Sequence, residues 1–314
     1  MAILKKIHIL EYPIKKLNYK DLPYTEKRPV SLDIEPPIDK KGIPIFIYNG
    51  KKHYHPVRIA LKMLSLINSY IITNNNEYLK KTEKLGSTLL DKHHFLYDSI
   101  LFPYTFDFPL HNFENEKMKA PWYSGMAQGL SLSAFIRLHK LTSNKEYLKI
   151  SDKIFNSFYL YKDKYEPWIV FVDKNGYLWI EEYPMEQLTH VLNGFIFSIY
   201  GLYDYYLCKE NIKCKELIQA SLITIKKYLP LFRKKDEPSL YCLKHKIQSI
   251  KYHDIHISQL NMLYKFTGDN FFSEWRQKFI NDYNSELFIN KIKYKFRRMY
   301  KEKILTRANM FSKW

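Results

Sequence analysis

The sequence predicts a mainly α chain, an α/α toroid of about four helical hairpins with β-hairpin insertions. Three observations predict it. Helical periodicity begins at Pro56 and returns in long blocks. A polar turn recurs between apolar helices at a near-constant interval. The stretches that interrupt the blocks are rich in Phe, Tyr, Trp and Pro and read as strands and loops.

Residues 1–55 carry many prolines and short apolar pieces such as Ile45-Phe46-Ile47-Tyr48, and read as an N-terminal arm with short strands. From Pro56 onward, Val57, Ile59-Ala60, Met63-Leu64 and Ile67 recur at helical spacing. Asn75-Asn76-Glu77-Tyr78-Leu79 then opens a second helix, and Asn144-Lys145-Glu146-Tyr147-Leu148 repeats it. Looser equivalents stand at Asn211-Ile212 and Asp269-Asn270; successive marks at Asn76, Lys145, Ile212 and Asn270 are 69, 67 and 58 residues apart. Asn and Asp at such turns accept bonds from free backbone N–H groups and start helices. The pattern is a repeated antiparallel helical hairpin, assigned to residues 56–290.

Three insertions interrupt it. Residues 95–121 are aromatic and Pro-rich, residues 166–184 hold two strand-like runs around Lys174-Asn175-Gly176, and residues 230–250 form the third. Asn-Gly between such runs is a hairpin signal. Residues 291–314, with Lys291, Lys293, Lys295, Arg297, Arg298, Lys301 and Lys303, read as a basic C-terminal helix or tail, most simply a solvated one.

Composition narrows the function. Hydrophobic residues make up 46% and aromatic residues 17% of 314, enough for a sizeable core. Nine glycines argue against a Gly-rich phosphate-binding fold. The net charge of +18 admits a polyanionic partner, although a Lys-, Asn- and Ile-rich composition has the same charge without one. The charge alone chooses no partner. Cys208, Cys214 and Cys242 have neither disulfide-framework nor CxxC spacing, so reduced thiols are expected. No signal-peptide pattern and no run of about 18 apolar residues is present, so a cytoplasmic protein without a membrane span is expected. No cofactor and no metal are expected.

Three segments depart from ordinary hairpin sequence. In Pro121-Trp122-Tyr123-Ser124-Gly125-Met126-Ala127-Gln128-Gly129, small residues allow close backbone packing while Trp122, Tyr123 and Gln128 are candidates to face a sugar. In Glu181-Glu182-Tyr183-Pro184, two carboxylates end an apolar hairpin, and the following helix carries Asn193 among apolar neighbours, where an amide needs partners. The third segment is Tyr241-Cys242-Leu243-Lys244-His245, followed by Tyr252-His253-Asp254-Ile255-His256. His253 and His256 have the i, i+3 spacing of a metal pair, but only Asp254 offers a nearby carboxylate, and cleft lining or core is the plainer reading.

Together these segments, with Gly201-Leu202-Tyr203-Asp204 and Gln259-Leu260, resemble the C-terminal catalytic domain of D-glucuronyl C5-epimerases, in the same order and over residues 95–285. The resemblance implies an α/α toroid, and an isomerase that inverts C5 of glucuronate in a polysaccharide; an acidic polysaccharide rather than nucleic acid is thus the expected partner, with a homodimer as the candidate assembly. It implies that Tyr183, Tyr241 and Tyr252 are catalytic tyrosines, that Glu182 is the cleft glutamate, and that Asn193 and Lys244 contact substrate. Two departures stand out. Lys244 occupies a position where the family has Arg, so a planar fork is replaced by a point charge. Animal members carry β domains ahead of the toroid, where this chain has residues 1–55.

The chemistry suits these residue types. The C5 proton lies α to a carboxylate, and its removal makes a dianionic enolate that needs cations or hydrogen-bond donors. Lys244, Asn193, His253 and His256 are the candidate stabilisers. Inversion needs a base on one face and an acid on the other; two tyrosines are expected to serve, the base phenol lowered by a nearby cation such as Lys244 or a charged His, with Glu182 as the alternative acid or base. The same intermediate admits a uronate lyase by β-elimination, and a non-catalytic glycan-binding toroid is the reading from another class.

Overall fold

A computed structural model describes residues 7–283; the basic stretch 291–314 lies outside the described residues. Helices pair in sequence order: α1 (Pro56–Thr73) with α2 (Asn76–Asp91), α3 (Gly125–Thr142) with α4 (Lys145–Asn156), α5 (Leu192–Lys209) with α6 (Ile212–Phe232), and α7 (Ile250–Thr267) with α8 (Asn270–Asp282). The odd-numbered helices form the inner row and the even-numbered helices pack outside them. Burial divides the layers. α3 buries 14 of its 18 residues, whereas α4 buries three of 12 and turns its charged face outward.

Each hairpin turn uses the same device. The first helix ends on a left-handed residue, Asn74, Ser143, Glu210 or Gly268. The very next residue then caps the following helix. Asn75 Oδ1 accepts from Glu77 N–H at 3.0 Å, Asn144 Oδ1 from Glu146 N–H at 2.9 Å, Asn211 Oδ1 from Cys214 N–H at 3.0 Å, and Asp269 Oδ1 from Phe271 N–H at 2.9 Å. The recurring Asn/Asp marks are therefore helix starts, as their spacing implied.

Among the described residues four two-stranded hairpins decorate the helices: β1–β2 (Phe46–Tyr48, Lys51–His53), β3–β4 (His94–Leu96, Ser99–Leu101), β5–β6 (Phe108–Pro109, Lys117–Met118) and β7–β8 (Val170–Val172, Leu178–Ile180). The β7–β8 turn is the expected one. Gly176 sits at φ +85°, and Asp173 Oδ1 accepts from Asn175 and Tyr177 N–H.

α3 and α5 are locked together at the middle of the inner row. A Cβ on Gly201 would lie 2.2 Å from the Gly129 carbonyl oxygen, so only glycine permits this backbone approach. Further along, Arg137 on α3 grips Asp204 on α5 with Nε and Nη2 at 2.9 and 3.2 Å, both side chains almost fully buried, and Nη2 also reaches the Pro23 carbonyl. The arm is thereby tied to the inner helices. Among the described residues no helix is long and apolar enough to cross a membrane.

Candidate active site

The first turns of all four inner helices converge on one cleft of about 340 Å³. Val57, Arg58 and Leu61 of α1, Met126 of α3 with its cap Ser124, Asn193 and Phe197 of α5, and Lys251, Tyr252 and Ile255 of α7 line it. A helix N-terminus presents free N–H groups and a partial positive charge. Four of them around one cavity favour an anion. The opposite wall is aromatic: Phe46 from β1, Tyr104, Phe106, Phe108 and Trp122. Trp122 stacks on Tyr104 at 3.8 Å and is fixed by its Nε1–H to the Phe106 carbonyl, 2.9 Å. Such flat apolar faces suit a sugar ring.

Glu182 lies at the floor of this cleft, 8% exposed. Its Oε1 takes a long bond from the Tyr241 hydroxyl, 3.4 Å, and its Oε2 has no partner among the described residues. Burial pushes the carboxyl up to about 7, with hydrogen bonds from Tyr183 and Tyr241 pulling it partly back. Gly194, in the first turn of α5, makes room for it: a Cβ there would stand 2.2 Å from Glu182 Oε2. The Tyr183 and Tyr241 hydroxyls are 3.4 Å apart, and the Tyr252 ring lies 4.3 Å from that of Tyr241. Burial, then the Glu182 charge, raises all three phenols, so they are neutral donors while Glu182 titrates near neutral pH. Asn193 lines the cavity with an Oδ1 that has no partner among the described residues, its backbone carbonyl held by Gln259 Nε2 at 2.9 Å.

Not every residue singled out from the sequence joins this group. Gln128 does not face a sugar. It is fully buried, its Oε1 accepting from Phe102 N–H and its Nε2 donating to the Ile100 carbonyl and Ser157 Oγ. His253 and His256 are core residues rather than substrate contacts. Both are fully buried. The His253 Nδ1 accepts from Ser239 N–H, and its Nε2 faces the Phe279 and Tyr283 carbonyls, pinning α7 to α8. His256 Nδ1 meets Ser239 Oγ, and burial drives its imidazole down to about 3, so it carries no charge at neutral pH.

Tyr123 and Lys244 line a second groove of about 410 Å³ together with Glu116, Trp168 and Gln187. Lys244 Nζ lies 2.5 Å from Glu116 Oε2 and so is neutralised away from Glu182. Tyr123 is held by His94 Nδ1 at 2.6 Å. Trp122 lines both grooves.

Sequence reasoning passed over the cations that do reach the cleft. Arg58 lies 4.8 Å from the Phe46 ring centre and Lys251 lies 5.9 Å from that of Tyr252; neither forms an ion pair among the described residues. His55, directly before Pro56, caps α1 by accepting from Arg58 N–H, and burial lowers its imidazole to about 4. A polar residue just ahead of a proline at a helix start was the available signal.

Residues 98–281 match the family model for the D-glucuronyl C5-epimerase C-terminus, more than half of the chain. The chain belongs to this family. A D-glucuronyl C5-epimerase of Caenorhabditis elegans is 29% identical over 178 residues, which are 51% of this chain and 28% of that protein. An uncharacterized protein of Methanocaldococcus jannaschii is 27% identical over 183 residues, 57% of this chain and 58% of the relative. The chain thus spans well under two thirds of either relative. Among solved structures, an unsaturated glucuronyl hydrolase specific for heparin superimposes with TM-score 0.50 at 13% identity, over 72% of this chain and 60% of that one. A cellobiose 2-epimerase from Bacillus thermoamylovorans gives TM-score 0.50 at 12% identity, covering 72% and 59%. A D-mannose isomerase gives 0.51 at 12%, covering 78% and 65%. These likenesses show the α/α toroid fold and nothing of the substrate.

Proposed function

We propose that the chain inverts C5 of glucuronate residues in an acidic polysaccharide, converting D-glucuronate to L-iduronate. The observation that carries this reading is a buried carboxylate, Glu182, ringed by three phenols where four helix N-termini meet. In the family, the residues matching Tyr183, Tyr241, Tyr252 and Glu182 are those expected to do the chemistry.

The uronate carboxylate sits against the helix N-termini, with Arg58 and Lys251 at the rim and the Asn193 amide beside it. That environment stabilises the enolate dianion formed when C5 loses its proton. Glu182 is the base, because its carboxyl titrates near neutral pH while the phenols stay protonated. Tyr252, half-buried beside Lys251 at the rim, returns a proton to the opposite face, and Tyr241 links it to Glu182. The aromatic wall orients the ring. The second groove, reached past Trp122, takes the neighbouring sugar of the polymer.

The test is proton NMR of glucuronate-containing glycans incubated with the protein in heavy water. Loss of the C5 proton signal with new L-iduronate supports the reading. Ultraviolet absorbance from an unsaturated uronate makes the protein a lyase, and binding without either signal makes it a glycan-binding module. Tyr252→Phe is expected to slow epimerisation by about 10²–10⁴-fold with the fold intact; full activity in that variant removes Tyr252 from the mechanism.

A further inference from the structure

A cluster that the proposed reaction does not use lies beside Tyr241. The Cys242 Sγ is 3.8 Å from His111 Nε2 and 3.7 Å from His245 Nδ1, and the three atoms lie within 4.8 Å of one another. A tetrahedral zinc with ordinary Zn–N and Zn–S bonds places N and S ligands about 3.6 Å apart. Both N···S separations are within a few tenths of that value. The two imidazole nitrogens are the far pair: at up to 4.8 Å they close by about 1.5 Å to reach the ~3.3 Å that two imidazoles keep on one tetrahedral ion, a movement that side-chain rotation of His111 and His245 supplies.

The surroundings point the same way. Glu116 Oε2 is 2.7 Å from His245 Nε2. A carboxylate there keeps the proton on Nε2 and leaves the Nδ1 lone pair directed at Cys242, the outer-shell arrangement that metal-bound histidines commonly have. Backbone N–H groups of Lys244, His245, Lys246 and Ile247 face the Cys242 sulfur. His111 is held at φ 54°, ψ 26° on the 110–112 turn, with its ring perpendicular to Tyr241 at 5.2 Å. Phe113 stacks on the other side of His245 at 4.7 Å.

We propose that His111 Nε2, Cys242 Sγ and His245 Nδ1 bind one zinc-class divalent ion, with Glu116 orienting His245 from outside. One thiolate and two imidazoles suit zinc and exclude magnesium and calcium, which take oxygen ligands. The ion joins the segment 110–116 to the turn 240–245, two insertions that no helix connects. Because Tyr241 precedes Cys242 and packs on His111, the ion also fixes the tyrosine that touches Glu182. The site departs from the sequence expectation of no metal. It stands or falls independently of the epimerase reading.

The full chain, stripped with a chelator, is titrated with cobalt(II). A thiolate-to-cobalt charge-transfer band in the near ultraviolet, saturating at one ion per chain, is expected. Cys242→Ser and His111→Ala should each abolish the saturable band, while Cys208→Ser keeps it. Glu116→Gln should weaken binding by about 10–100-fold. Circular dichroism checks each variant for folding, so that His111→Ala decides the matter if Cys242→Ser does not fold. No saturable band in the unaltered chain, or a band that survives in folded Cys242→Ser or His111→Ala, overturns the site.

Discussion

Glu181 and Glu182 follow one another at the end of the same hairpin, and the fold treats them in opposite ways. Glu181 is met on every side: His190 Nδ1 at 2.6 Å, His190 N–H at 3.1 Å and Thr189 Oγ1 at 3.2 Å. Its backbone carbonyl also accepts from Gly125 N–H, which seats α3. Glu182, buried beside it, has only tyrosine hydroxyls as partners, Tyr241 at a long 3.4 Å, and an oxygen that faces a cavity without a partner among the described residues. A buried carboxylate with full partners is a fastening. The same group deprived of partners is a reagent, because desolvation without compensation brings its protonation into the range of working pH.

Exchanging each carboxylate for an amide should separate the two roles. Glu182→Gln is expected to lower the C5 exchange rate by about 10²–10⁴-fold while leaving urea stability no worse than in the parent chain. Glu181→Gln is expected to show the reverse emphasis, with a loss of stability of about 1–3 kcal/mol from the disturbed His190 and Thr189 contacts. If Glu181→Gln removes exchange in a chain that stays folded, the division drawn between the two carboxylates fails.

The contrast also has a pH signature. In the unfolded chain Glu182 loses its proton near the ordinary glutamate value of 4.5, whereas the folded chain keeps it to about 7. Between those values the folded state binds more protons, so this group's contribution is complete below about 4.5 and is lost as pH rises through about 7. The size is roughly 3 kcal/mol. Burial lowers His55, His111 and His256 in the fold, and these act with the opposite sign, adding stability as pH rises toward 6.5. The difference between parent and Glu182→Gln denaturation midpoints across pH 4 to 8 isolates the glutamate. A flat difference curve would place Glu182 in contact with water rather than in a dry cleft.

The smallest effect concerns charge. Lys244→Ala is expected to change KM for a glucuronate glycan only about twofold, since its ammonium is paired with Glu116. Lys251→Ala, at the cleft rim, is expected to raise KM by about threefold to tenfold, less at high salt. A larger effect from Lys244→Ala in steady-state kinetics would shift the anion site into the second groove.

The two pairs of histidines repeat the lesson. His253 and His256 attract attention in the sequence because they are close together, yet a helix turns them into the core, where backbone groups and Ser239 satisfy them. His111 and His245 are 134 positions apart in the chain and carry no local motif. Only the packing of one insertion on another brings them to the same sulfur. Gln128 turns into the core and Lys244 toward the second groove for a related reason: sequence spacing gives the element but not the direction of a side chain within a folded loop.

The sequence by itself determined the scaffold. Apolar periodicity and Asn or Asp caps are local, and each turn's hydrogen bonds close within a few residues, so the four hairpins and the β7–β8 turn are written along the chain. It also placed Glu182, Tyr183, Tyr241, Tyr252 and Asn193 on ends of elements. Tertiary structure alone decided which helix ends face one another, that Glu182 rather than Glu181 is left without partners, that Arg58 and Lys251 rather than Lys244 reach the cleft, and that a thiol and two imidazoles from distant loops meet. Those outcomes depend on contacts between segments far apart in sequence, and on how completely each polar group is satisfied once water has been excluded.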